Sequence, residues 1–263
     1  MILHHQFIRT AKKKSGKMAI RDRTTDKELS YSKTLIAALI LKDKLSDYRD
    51  KYIGVMIPTS AGSMLASLAL TMDDRVPVMI NYSTGAAENC VYAQDKCGFT
   101  PIITSRALLE KIKCPEVEGM IFIEDILNSV TTIDKLKAAA KSRLSASLLI
   151  KMLPKADVDD PVVILFTSGS EKAPKAVQLT HRNLGSNLEG VMNHLPLTED
   201  DIIMSILPLF HVFGFNTNFW LPLTQGMTAV TYANPLDYKT VPKIIREEKA
   251  TMIAATPIFF NGY

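Results

Sequence analysis

Short apolar runs alternate with amphipathic stretches along most of this chain. Residues 52–57, 76–80, 101–104 and 120–123 are apolar runs of strand length, and Pro58 stops the first. Between them, residues 60–72, 88–96 and 107–112 carry helical spacing, and Gly98 closes the second of these helices. An earlier helix places Leu35, Ile36, Leu39 and Ile40 on one face, with Ser32 as its N-cap. Residues before Leu29 read as a polar start with no predicted element. Farther on, strands are predicted at 162–166, 176–179, 202–207, 227–232 and 251–255. Helices are predicted at 241–248 and from His181 past Val191, the latter capped by Thr180. Such alternation predicts an α/β fold of doubly wound, mainly parallel sheets flanked by helices. Residues 154–161, with Asp157, Asp159 and Asp160, read as a linker, so two subdomains are expected at 1–155 and 156–263.

Composition narrows the classes. A chain of 263 residues that is 47% hydrophobic can bury a sizeable core. A net charge of +4, spread over scattered lysines, gives no footprint for nucleic acid. Cys90, Cys97 and Cys114 are odd in number and contain no CxxC pair, so neither a disulfide framework nor a zinc site is indicated. Cys90 and Cys97 fall on one helix face as small hydrophobes. No apolar region followed by a small-residue cleavage site marks a secretory signal, and the run at 35–41 is too short to cross a bilayer. A cytoplasmic setting is the expectation.

Residues 131–154 differ from their surroundings. Lys135, Lys137, Lys141, Arg143, Lys151 and Lys155 accompany Leu136, Leu144, Leu148, Leu149, Ile150, Met152 and Leu153. A basic amphipathic segment of this kind, 133–155, can make peripheral contact with an anionic membrane or meet a partner. A surface helix packing its leucines on the core carries the same pattern.

The strongest chemical signal follows the strand at 162–166. The hydroxyl-rich turn Thr167-Ser168-Gly169-Ser170-Glu171 leads to Pro174 and Lys175. Small hydroxyls and a glycine let backbone N–H groups approach an anion, and a lysine adds a point charge. That combination suits a polyphosphate, although a ligand-free serine-rich turn has the same composition. It is not a Walker A loop, which needs glycine before the lysine and Ser or Thr after it.

This order resembles the phosphate loop of the adenylate-forming family (acyl-CoA synthetases, luciferases and peptide-synthetase adenylation domains). That loop reads Thr-Ser-Gly-Ser/Thr-Thr/Glu-Gly-x-Pro-Lys-Gly-Val. Thr167, Ser168, Gly169, Ser170, Glu171, Pro174, Lys175 and Val177 match, whereas Lys172 and Ala176 replace two glycines. A side chain at residue 172 costs on the order of 1 kcal/mol if the backbone there needs positive φ. A second motif, Leu207-Pro208-Leu209-Phe210-His211-Val212-Phe213-Gly214, resembles the family's Leu-Pro-x-Phe-His-x-x-Gly. By that resemblance Phe210, His211 and Phe213 wall the acyl and adenylate pocket, and Gly214 makes room for the chain. Leu29-Ser30-Tyr31, residues 54–60, residues 75–83 and Thr180-His181 are similar to further family segments in the same order. His181 there reads as structural rather than catalytic.

The resemblance implies a ligase that uses ATP and Mg²⁺. It joins a fatty acid to AMP and passes the acyl group to acyl carrier protein or CoA. Residues 75–77, 81–83 and 234–238 look most like the acyl-acyl carrier protein synthetase half of bifunctional 2-acylglycerophosphoethanolamine acyltransferases, which work at the bacterial inner membrane. The family's Tyr-Gly-x-Thr-Glu segment, ribose-binding aspartate, hinge and C-terminal lysine have no counterpart in these residues. An N-terminal fragment, inactive or nearly so alone, is therefore expected. A non-catalytic protein binding acyl chains, a membrane or a partner on the same fold is the alternative.

Overall fold

The computed structural model describes residues 1–167 and 173–263, apart from the Ile258 side chain. In chain order the elements begin with α1 (Leu3–Lys13), β1 (Met18–Asp22), β2 (Lys27–Ser30), α2 (Tyr31–Leu45), β3 (Tyr52–Met56), α3 (Ala61–Met72) and β4 (Val76–Met79). They continue with α4 (Ala86–Cys97), β5 (Ile102–Thr104), α5 (Arg106–Ile112), β6 (Met120–Phe122), α6 (Ile123–Asn128), α7 (Thr132–Arg143) and α8 (Ala146–Lys151). Next come β7 (Pro161–Phe166), β8 (Ala176–Thr180), α9 (His181–His194) and β9 (Ile202–Ser205). The short α10 (Val212–Gly214) runs through a π-helical segment, Phe215–Trp220, into α11 (Leu221–Gln225). The described chain closes with β10 (Thr228–Thr231), α12 (Thr240–Glu247), β11 (Met252–Ile253) and α13 (Pro257–Phe260).

Two sheets form. One has six strands in the order β6-β5-β3-β4-β7-β8, and the other has five in the order β11-β9-β10-β1-β2. All neighbours are parallel except β7 with β8 and β1 with β2. The expected doubly wound, mainly parallel architecture is present. Each sheet draws strands from both sides of residue 155: β1 sits beside β10, with Ile20 opposite Ala229, and β7 sits beside β4. Burial explains the strand composition. β4, covered on both faces, is apolar throughout rather than alternating.

A shared core lies between the sheets. It joins Ile20, Ala229 and Ile203 of one sheet to Val55, Ile103 and Val163 of the other through residues of α1, α2, α3 and the 215–223 helical stretch. Helices α4 and α5 cover the far face of the six-stranded sheet, and α12 covers that of the five-stranded sheet.

The N-terminal residues correct the sequence reading. Residues 3–13 form a helix that buries Leu3, Phe7, Ile8 and Ala11, and the polar start is part of the core. Ser30, not Ser32, caps α2: its side chain accepts from Lys33 N, and Tyr31 begins the helix. Tyr31 is fully buried, its hydroxyl 2.8 Å from Pro222 O and 2.7 Å from Met227 O. Ser60 and Thr180 are N-caps with reciprocal capping boxes. Gly98 ends α4 at φ +69°, a left-handed conformation that costs glycine nothing. Residues 131–154 are two helices broken at Leu144–Ser145, because Ser145 caps α8. No described helix is long and apolar enough to cross a membrane.

Candidate functional site

Strand β7 delivers Phe166 and Thr167 to the C-terminal edge of the six-stranded sheet, and β8 returns from Ala176. Ladder pairing of Phe166 with Ala176 brings the two flanks of the turn together. They are fastened there twice. Thr167 N donates to Lys175 O at 3.0 Å, and Lys175 N donates to the Thr167 hydroxyl oxygen at 3.3 Å. Ala176, one of the two departures from glycine, occupies an ordinary antiparallel position that any residue adopts. Ser168, Gly169, Ser170 and Glu171, together with Lys172, lie outside the described residues.

The second motif follows β9. Leu207 is clamped from two sides: the Thr59 hydroxyl donates to its carbonyl at 2.8 Å, and the buried Asn218 amide oxygen accepts from its N–H at 2.8 Å. This fixes the turn that presents Phe210 and His211. Phe210 is buried and stands edge-on to Tyr82, with ring centroids 5.0 Å apart, while His211 leans on Phe210 at 4.5 Å. The His211 ring is partly open to solvent. Partial burial lowers its pKa below the ordinary imidazole value, which favours the neutral form.

The two motifs meet at one cleft. It encloses about 530 Å³, counting the space at its mouth, and Thr167, Pro174, Phe210 and His211 line it together. The remaining walls were not singled out from sequence. Asn89 and Tyr92 come from one face of α4, three residues apart, and Met79, Ile80 and Asn81 come from the end of β4. Asn81 lies in the 75–83 stretch that resembles a family segment, so its position is legible in the sequence although its role is not. Asn89 donates to Asn81 O and Thr84 O at 2.9 and 2.8 Å, and its amide oxygen has no described partner.

Other expected residues fall differently. Lys175 is exposed beside the cleft but is not among its lining residues. Phe213 is 47% exposed and also lies outside the lining. Gly214 allows close packing: a Cβ there would sit 2.3 Å from Pro208 O and 3.1 Å from Leu207. His181 is buried in a structural role, its Nδ1 accepting from Leu3 N at 3.2 Å.

The chain is 25% identical to 4-coumarate–CoA ligase 2 of Petroselinum crispum over 261 residues, which is 95% of this chain and 46% of that enzyme. It thus spans about half the length of that relative. The N-terminal domain of FACL13 from Mycobacterium tuberculosis, solved with an inhibitor, superposes with a TM-score of 0.79 at 19% identity, covering 98% of this chain and 64% of that one. An o-succinylbenzoate CoA synthetase from Bacillus subtilis, solved with ATP and magnesium, superposes at 0.77 and 16% identity, over 97% and 64%. At these identities the structural matches speak for the fold alone. The model of the family described as "AMP-binding enzyme" matches residues 7–263, nearly the whole chain, and this protein belongs to that family.

Proposed function

We propose that this chain is the N-terminal part of an ATP-dependent acid–thiol ligase. The observation that carries the reading is that Thr167 and Pro174, on the two flanks of the hydroxyl-rich turn, line one cleft together with Phe210 and His211. Adenylation requires an acid carboxylate to reach the α-phosphate of ATP while pyrophosphate departs with the electrons of the broken P–O bond. A thiol then displaces AMP from the acyl group. The chain's own contribution is placement. Thr167 and Lys175 would hold phosphate oxygens, with Ser168, Gly169, Ser170 and Glu171 between them in sequence. A neutral His211 can share a hydrogen bond near the carboxylate without adding a competing charge. Phe210, Phe166, Met79 and Ile80 give the cleft an apolar wall suited to a fatty acid.

By residue type, the hydroxyls of Thr167, Ser168 and Ser170 and the Lys175 ammonium suit a polyphosphate. Mg²⁺ is different, because among the described residues no carboxylate lines the cleft and no cluster of His, Cys, Asp or Glu could hold a metal. CoA as acceptor is supported by the names of the relatives, and acyl carrier protein only by the resemblance of residues 75–77, 81–83 and 234–238.

ATP–pyrophosphate exchange with fatty acids, measured on the longest natural product containing this chain, tests the reading. Exchange that depends on Lys175, and is lost in Lys175→Ala, is expected. Lys172 in place of a loop glycine favours a second reading, a non-catalytic binding protein, and absence of exchange with every acid would select it.

A further inference from the structure

Helices α7 and α8 turn one side inward and leave the other uncovered among the described residues. On the inner side, Asp134 pairs with Lys44 at 2.8 Å and Lys141 with Asp43 at 2.7 Å, tying α7 to α2 around the buried Ala138. Lys12 of α1 donates to the Ser142 carbonyl, and Leu149 and Leu153 are buried. Helical spacing then sends Ile133, Leu136, Ala140 and Arg143 to the opposite side of α7, and Leu148 and Met152 to the opposite side of α8. Exposure agrees: Ile133 is 62% exposed, Leu136 65%, Leu148 47% and Met152 55%.

Charge accompanies this apolar surface. Residues 135–156 hold six basic side chains and no acidic one. Of the six, Lys141 is paired, whereas Lys135, Lys137, Arg143, Lys151 and Lys155 are exposed with no ion pair among the described residues. Residues 123–165 contain no Phe, Tyr or Trp. Protein interfaces favour aromatic residues and are poor in lysine, so this composition argues against a protein partner. Aliphatic tips among lysines instead match a surface that is apolar inside and anionic at its rim.

We propose that the outward sides of α7 and α8 dock on an anionic lipid bilayer. The aliphatic side chains enter the headgroup boundary, and the lysines and Arg143 meet lipid phosphates. This docking does not depend on the ligase reading.

Co-sedimentation of the 263-residue chain with vesicles tests it. Retention is expected on phosphatidylglycerol-rich vesicles, not on phosphatidylcholine alone, and is expected to fall at high salt. The combined variant Lys135→Glu, Lys137→Glu, Lys151→Glu should lower partition more than about tenfold, since each basic residue near such a surface contributes roughly fivefold. A second variant, Leu136→Ser with Leu148→Ser, should also lower it. Both change only exposed side chains, and an unaltered melting curve verifies the fold. Absence of retention, equal retention on neutral vesicles, or indifference to either variant overturns the proposal. So does an acidic protein that binds these helices while vesicles do not.

Discussion

The Tyr92 hydroxyl donates to Pro174 O at 2.6 Å, and its ring stands edge-on to Phe166 at 5.9 Å. One side chain of α4 therefore touches both the strand leading into the 167–175 turn and the segment leading out of it. Thr167 and Lys175 fasten the neck of the turn, and Tyr92 braces it against a helix of the neighbouring layer.

Tyr92→Phe keeps the ring and removes the brace. Loss of one such hydrogen bond is expected to weaken tripolyphosphate binding about two- to tenfold, corresponding to roughly 0.5–1.5 kcal/mol. Titration calorimetry on the two proteins measures it. Equal affinities would mean that the turn holds its shape without this bond.

Gly214→Ala places a methyl against Pro208 O and Leu207. Relief requires the start of α10 to move away from the turn carrying Phe210 and His211. A loss of about 1–3 kcal/mol in urea unfolding is expected. A fully stable alanine variant would show that the helix start has slack.

Tyr31→Phe leaves the Pro222 and Met227 carbonyls short of a buried donor. The expected cost is about 1–3 kcal/mol, although the aromatic packing is retained. Its denaturation midpoint relative to the unsubstituted chain decides the matter, and no change would mean that another donor reaches these carbonyls.

Acid is expected to loosen the contact between α1 and α9. Burial holds His181 near a pKa of about 4 and His4 well below the ordinary 6.5. Around His181 stand His4, His5, Asp160 and the chain's amino group, and only Asp160 favours its charged form. Between 6.5 and about 4 the unfolded chain binds more protons than the folded one. Stability is thus complete above 6.5 and declines as pH falls through this window. His181 alone should account for on the order of 2 kcal/mol between about pH 7 and pH 5. Protonation at Nδ1 also ends its acceptance from Leu3 N. Urea midpoints across this range measure the slope, which His181→Gln should flatten in part.

Local periodicity carried most of the strand–helix order, because β3, β4 and β7 are short apolar runs bounded by turn residues and caps. The same logic failed at α1. His4, His5 and Thr10 alternate with Leu3, Phe7 and Ile8, and two of those polar residues, His4 and Thr10, are buried with them. The pairing of β1 with β10 was not legible either, since a register such as Ile20 with Ala229 leaves no trace in nearby sequence. At the site, both motifs were visible as strings of residues that chemistry demands. Asn89 and Tyr92 were not, because they enter the cleft through helix packing and announce no chemistry of their own. The joint placement of Thr167 and His211 followed from the fold.

The parallel pairing of β1 with β10 bears on how this protein comes into being. In the five-stranded sheet, the β1–β2 hairpin has no neighbour beyond itself until residues 228–231 exist. The six-stranded sheet, by contrast, needs nothing beyond residue 180. During vectorial synthesis on a ribosome, the six-stranded sheet can assemble while the hairpin waits with one edge unoccupied. Such long-range closure slows folding and leaves an open strand edge vulnerable to intermolecular capture.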